Sequence, residues 1–439
     1  MAKILLYCLD KVGQTMAGPA IRYWEMAKVL SRQHTVSLMT YAKTDIAAEN
    51  FTLLHSGEIS LRKAVSEHDI VITQSISPNM AWNAKKAGTK LILDAYDPMP
   101  LENLEIFKHQ TLSVRNIKHA SICKQFTFDF TMADAVICAN QRQHDLWMGL
   151  LLSLGRITPE LYDSMPSLEG LLSIVPLGLS STPPKKTGPG LREKFNIPSN
   201  AKVLLWGGGI WNWFDPITLL HAMAHISQER NDVHLVFMGI KHPNDAIPEM
   251  EMCRETIHLA KKLNLLDNCV HINYGWVPYE ERQNYLLDAD IGVSTHFDTL
   301  ETQFSFRTRM LDYLWAGLPI VASCGDSFGD LISSQNLGIT VPYQDSVKLA
   351  AAITTLCDQP AMMQDMRRNI AALRPSFEWQ NVVAPLELMI QRLGKQQPQW
   401  SLNLAGQVLA ETWRTQGPKR IFNYAWTRVM CRFSPPKEA

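Results

Sequence analysis

Short apolar runs alternate with longer stretches of helical periodicity from the first residues onward. KILLYCL precedes the amphipathic IRYWEMAKVLSR. Then come TVSLMTY, DIVITQ with SPNMAWNAKKAG behind it, KLILDAY, and ADAVICA followed by NQRQHDLWMGLL. Apolar runs without polar alternation predict strands buried on both faces, and the helices between them predict βαβ units on a parallel sheet. At 180–190 the chain changes to SSTPPKKTGPG, whose prolines and glycines cannot extend a strand and read as a linker. The alternation then restarts with AKVLLWGG, DPITLLHAMAHISQ, VHLVFMG, MEMCRETIHLAKKLN, VHINYGW, PYEERQNYLLD, IGVST, FRTRMLDYLWAG, PIVAS and GITVP. The expected fold class is α/β: two Rossmann-like, doubly wound domains at 1–180 and 191–375, joined at 181–190. Ligands are expected where the carboxyl ends of the two sheets face each other across a cleft.

Composition narrows the function. With 439 residues, 46% of them hydrophobic, the chain can build more than one core. Its 42 Lys and Arg balance 42 Asp and Glu, which leaves no overall charge for wrapping nucleic acid, so no nucleic-acid partner is expected. Eight scattered cysteines without CxxC spacing fit a reducing cytosol and offer no structural zinc site. The apolar run Ile4–Leu9 is too short for a signal-peptide core, and LWMGLLLSLG at 146–155 is too short to span a bilayer, so a cytoplasmic protein is expected.

Two segments are locally basic. Lys108, Arg115, Lys118 and Lys124 lie with His109 and His119 between Glu105 and Asp129, with no acid among them. From 400 to 439, Arg414, Lys419, Arg420, Arg428, Arg432 and Lys437 outnumber Glu411 and Glu438, with Trp400, Trp413 and Trp426 interleaved. The tail at 396–439 fits either a peripheral anionic membrane contact or a helix docked on the protein.

Three strand-to-helix segments carry candidate chemistry. In DKVGQTMAGPAIRYWEMA, Gly18 and Pro19 suit a close backbone approach and a first helical turn, and Arg22 adds a charged fork near free N–H groups. In LLWGGGIWNWFDPITLL, Gly207, Gly208 and Gly209 leave a strand, Trp211, Asn212 and Trp213 fill the turn, and Asp215-Pro216 marks a helix start. Neither segment is a GxGxxG fingerprint or a P-loop. In STHFDTLETQFSFRTRMLDYLWAGLPIVAS, Ser305, Arg307, Arg309 and Asp312 are expected on one helix, with Glu301 in the loop before it. Arg307 would neutralise a diphosphate and Asp312 would reach a ribose, whereas Arg309 reads as an i,i+3 surface partner of Asp312. Asp288 and Asp290 sit where a helix runs into a strand and read as structural.

The two restarting halves, the glycine turn, YGWVPYEERQNYLLDADIGVST and LDYLWAGLPIVAS resemble family-4, group 1 type glycosyltransferases of the GT-B fold. The resemblance covers about residues 3–395, including PSFEWQNVVAPLELMIQRL, which looks like the helix at about 376–395 that crosses back to complete the first domain before a C-terminal helical extension. It implies a retaining transferase that takes a nucleotide-diphosphate sugar as co-substrate in the second domain, without a metal cofactor. The acceptor in the first domain would be a glycan or lipid-linked, in surface polysaccharide biosynthesis at the inner face of the plasma membrane. The chain departs from the family's paired acidic signature: Asp312 stands at the second position, but Phe304 at the first, with Glu301 the nearest acid. Ile210-Trp211-Asn212-Trp213 replaces the usual cations of the glycine turn, and Asp94 and Asp97 stand where many members carry a histidine. Asp94, Asp97 and Glu301 are therefore the expected catalytic carboxylates, with a capping role near Pro98 as the alternative for the two aspartates. The broken acidic spacing leaves open a catalytically silent binding or scaffold subunit, and the double fold leaves open a nucleotide-sugar epimerase.

Overall fold

The computed structural model describes residues 1–240, 242–244 and 249–393, together with 406, 410, 413 and 414. The first sheet comprises β1 (Lys3–Tyr7), β2 (Thr35–Thr40), β3 (Thr52–His55), β4 (Ile70–Thr73), β5 (Lys90–Asp94), β6 (Ala135–Cys138) and β7 (Leu172–Ile174), in the order β3-β2-β1-β4-β5-β6-β7. The second comprises β8 (Lys202–Trp206), β9 (Val233–Phe237), β10 (Val270–Ile272), β11 (Ile291–Ser294), β12 (Ile320–Ser323) and β13 (Gly338–Val341), in the order β10-β9-β8-β11-β12-β13. All pairings are parallel; Ile4 of β1, for example, stands opposite Val36 and Ile70. β4, β5 and β6 are buried throughout, which is why they read as unbroken apolar runs.

Strand order reverses direction between β1 and β4 and between β8 and β11, and a crevice opens at each reversal. Hydrogen bonds tie the two crevices face to face. Tyr279 N donates to Gln14 O at 2.9 Å and Trp276 Nε1 to Met16 O at 3.0 Å. Further along the cleft, side chains at the start of the Gln141–Ser153 helix reach the second domain.

Several elements escape the sequence pattern, β3 and the Leu112–Met132 helix among them. β3 is a half-buried edge strand, and the Leu112–Met132 helix buries only its second half, leaving Leu112 and Ile117 exposed. The helix expected to carry Ser305 and Arg307 begins only at Arg309, and the loop expected before it holds a separate helix, Leu300–Phe304, so Glu301 is helical rather than in a loop. The break has a local cause. Ser305 turns extended, its hydroxyl bonds back to the Glu301 carbonyl at 2.6 Å and to the Glu301 carboxylate, and Arg307 folds inward. Asp288 accepts from Lys186 at 2.8 Å and from Arg192 N at 3.2 Å, and Asp290 accepts from Arg192 and Val203 N, both at 2.9 Å.

The chain returns to the first domain after residue 376. Leu179 N donates to Phe377 O at 2.8 Å, Trp379 N donates to Leu179 O at 3.1 Å, and the Ala384–Leu393 helix packs against β7. Trp379 packs against Gly178, where a Cβ would come within 2.7 Å of the indole. The basic aromatic tail lies outside the described residues apart from the four named. Among the described residues no helix is long and apolar enough to cross a membrane.

Trp379 is 5% exposed and fills the seam between the returning segment and Gly178. Trp379→Ala should therefore lower unfolding free energy by about 3–5 kcal/mol in urea titration, whereas a change under about 1 kcal/mol would place little of the packing there.

Candidate active site

β1 feeds the Gly18–Leu30 helix, with Pro19 in its first turn. A Cβ on Gly18 would lie 3.6 Å from the Thr308 methyl, so this helix start directly faces the start of the Arg309–Ala316 helix. Two helix N-termini thus converge on the cleft, and both favour an anion there.

Three arginines approach this region, and the structure corrects the expected role of each. Arg22 is fully buried and forks onto Asp94, with Nε and Nη2 each 2.8 Å from a carboxylate oxygen. Neither Arg22 nor Asp94 is a free group: the guanidinium is neutralised, and both oxygens of the expected catalytic aspartate are occupied. Arg307 does the same to Glu301, at 2.9 and 2.8 Å, with side-chain exposures of 3% and 1%. Arg307 is therefore not the unspent diphosphate cation, and Glu301 is a buried ion-pair partner.

Arg309 was expected on the surface beside Asp312. Instead it is 7% exposed, donates Nη2 to Gly209 O at 2.8 Å, and lies over the rings of Phe214 and Trp206 at 3.9 and 4.5 Å. Its Nη1 has no partner among the described residues, and burial pulls its pKa down to about 9, with Arg307 adding repulsion. It remains charged at neutral pH, and among the described residues it has no carboxylate partner. Asp312, a third exposed, accepts from Arg282 Nε at 3.1 Å.

The glycine turn is shaped by its neighbours. Gly207 N donates to the Tyr313 hydroxyl at 2.7 Å, and Asp215 caps the Pro216–Glu229 helix through Thr218 N at 2.9 Å. Trp211 stacks on the buried Trp213, centroids 5.1 Å apart and 6° from parallel, while Asn212 accepts from Met252 N at 3.3 Å. These three residues brace the turn.

A cluster the sequence pattern missed lies at the ends of β11 and β12. His296 is fully buried, its Nε2 is 3.8 Å from Asp326 Oδ2, and Arg307 Nε is 3.8 Å from the same oxygen. Ser294 Oγ, both His296 ring nitrogens, Arg307 Nε and Asp326 Oδ2 lack hydrogen-bond partners among the described residues. Burial holds His296 neutral, well below the ordinary imidazole range, and pushes Asp326 up to about 6 against the pull of Arg307. Nothing in the local sequence STHFDT flags this cluster, because His296 reads as the end of a buried strand.

Across the cleft, Asp97 is half-buried and accepts from Gln74 Nε2 at 3.3 Å. Burial pushes its carboxyl up to about 7, with a Tyr96 hydrogen bond opposing and Asp94 reinforcing the shift. Glu102 is raised well above the usual range by burial, then by Asp97 and Glu301. Of the three expected catalytic carboxylates, Asp97 alone is not locked in an arginine fork.

The domains are joined beside this site by three side chains from one helix start. Asn140 Nδ2, Gln143 Nε2 and Arg142 Nη1 donate to the carbonyls of Ser305, Phe304 and Gln303 at 3.2, 2.8 and 3.1 Å. The polar run NQRQ after a buried strand was the available signal, and it reads equally well as an ordinary helix cap.

Two parallel sheets in these orders, facing across a cleft and completed by a returning C-terminal segment, define a protein of the GT-B fold. Residues 201–359 match the family described as glycosyl transferases group 1. It is similar to "Putative glycosyltransferase YtcC" of Bacillus subtilis (strain 168), 24% identical over 246 residues; the match spans 51% of this chain and 58% of that protein. Among solved structures it resembles a glycosyltransferase from Rickettsia africae, with a TM-score of 0.61, 15% identity, and 90% and 99% of the two chains covered. It also resembles the Anabaena protein HepE in complex with UDP, with a TM-score of 0.58, 14% identity, and 90% and 100% covered.

Asp97 gives the site a pH signature. Its raised folded-state pKa means its stabilising contribution is full below the unfolded value of about 3.9 and is lost as pH rises through about 7. Asp97→Asn should therefore gain Tm over wild type progressively between about pH 5 and about pH 8. Parallel Tm curves across that range would place the titration elsewhere.

Proposed function

We propose that the protein is a retaining glycosyltransferase that moves a sugar from a nucleotide-diphosphate sugar to a glycan or lipid-linked acceptor, in surface polysaccharide assembly on the cytoplasmic side of a membrane. The observation that carries the donor reading is Arg309, a buried guanidinium without a carboxylate, beside the Gly207–Gly209 turn and at the start of a helix. An anionic diphosphate bound there would meet its free Nη1 and the two helix starts. Asp312 on the same helix is the proposed ribose partner. His296, Ser294 and Asp326 would face the transferred sugar.

In the proposed step the bond from the anomeric carbon to the diphosphate oxygen breaks, and the acceptor oxygen bonds to the same face. The departing diphosphate oxygen takes the acceptor's proton, and Asp97 orients the acceptor hydroxyl. No metal is required, because arginine and helix ends meet the developing charge.

Membrane contact is proposed for the exposed start of the Leu112–Met132 helix together with the basic tail. Leu112 and Ile117 are 68% and 69% exposed there, Lys108, Lys118 and Lys124 flank them along the chain, and Arg414 reaches Ser121 Oγ at 3.4 Å. Exposed apolar side chains with cations nearby in the chain suit an anionic interface.

The test is incubation with a panel of nucleotide sugars and neutral glycan acceptors, with and without EDTA, and proton NMR of the first-formed product. Transfer with retained anomeric configuration in EDTA is expected. Arg309→Met should raise the nucleotide-sugar Kd by about tenfold or more while leaving Tm close to wild type. Binding without turnover would favour a silent subunit, and an epimerised sugar would favour an epimerase.

A further inference from the structure

An open groove of about 650 Å³ runs between the Gln141–Ser153 helix of the first domain and the loops that follow β11, β12 and β13, a size within the range of small-ligand sites. Phe304, Tyr343 and Leu146 form apolar walls, while Asp145, Asp298 and Arg142 line the rim.

The walls are built rather than incidental. Gly325, at φ 97°, forms part of the floor, and a Cβ there would fall on the Tyr343 hydroxyl, so only glycine lets this ring lie over the loop. The Tyr343 ring meets His296 edge-on, centroids 5.9 Å apart at 69°, which joins the groove to the buried cluster at Asp326. Phe304 occupies the sequence position where the resembled family carries its first acid. With Glu301 one turn earlier committed inward to Arg307, the residue at 304 is an aromatic wall instead.

The rim has a definite charge. Arg142 is spent on the carbonyls of Gln303 and Gly325 and on Asp330, at 3.1, 2.6 and 2.6 Å. Asp145 and Asp298 are exposed; Gln141 Nε2 donates to Asp145 at 2.7 Å and His144 Nδ1 lies 3.5 Å from it, and among the described residues neither carboxylate pairs with a lysine or arginine. A pyranose presents apolar C–H faces and a ring of hydroxyls. Aromatic walls suit the first and carboxylates accept from the second, while phosphate or carboxylate substituents would be repelled.

We propose that this groove holds the glycan part of the acceptor, in the form of a neutral or amino-bearing oligosaccharide. The inference rests on the glycosyltransferase reading above and adds the acceptor's chemical class. The groove forms only where the two domains meet, since its walls come from both, so glycan binding favours the closed cleft.

The test is an array of neutral, amino-bearing, phosphorylated and uronate-bearing oligosaccharides probed with the full chain, with and without UDP. Neutral or amino-bearing glycans should be retained and anionic ones should not. Tyr343→Ala should weaken the retained glycans by about tenfold, and Leu146→Arg, which fills the groove, should abolish them, while UDP affinity stays within about twofold. Asp298→Lys should admit anionic glycans. An array that stays blank, retains only anionic glycans, or shows equal binding by the groove variants would overturn the proposal. Loss of UDP binding by the wild-type protein would count against the donor reading alone, because the array without UDP still decides the groove.

Discussion

The fork between Arg307 and Glu301 holds the centre of the molecule. It closes the turn between two helices, with both partners out of solvent, and so fixes the peptide run from Gln303 to Ser305. The first domain grips those same three carbonyls through Asn140, Arg142 and Gln143. Removing one partner from such a fork leaves an uncompensated buried charge, at a typical cost of about 3–5 kcal/mol. The same break would loosen the surface that joins the domains. Local electrostatics and domain closure are therefore one constraint.

That constraint also explains how the cations are allotted. Arg22 and Arg307 are each matched by a carboxylate and serve as scaffolding, one in each half of the cleft. Arg309 instead rests on aromatic faces and a carbonyl oxygen, which position it without cancelling its charge. The neighbouring positions divide in the same way: Glu301 partners Arg307, and Phe304, one turn later, lines the groove with its ring.

The fold was legible because burial on both faces writes continuous apolar runs into parallel strands, and two sets of them separated by a Pro-Gly linker announce two domains. β3 was missed because an edge strand is only half-buried and lacks that run. The Leu112–Met132 helix was missed because its first turns carry apolar residues outward. The loops lining the cleft were legible in the sequence, whereas the partners of their charged residues were not. Gly18, Pro19 and the Gly207–Gly209 turn lie at the cleft where their backbone chemistry suggested. Arg22, Asp94, Arg307 and Glu301 were mistaken for free groups because sequence spacing cannot reveal partners such as Arg22 and Asp94, 72 positions apart. Arg309 and Asp312, three apart, invited a helix-surface pair that the buried face of their helix forbids.

The proposed donor position lies between the Gly207–Gly209 turn and the helix start at Arg309. Hydrogen–deuterium exchange with a nucleotide-diphosphate sugar that the protein turns over tests it. New protection is expected in residues 205–210 and in 305–310 together. Protection confined to the first domain, or no change in either segment while turnover proceeds, would contradict it.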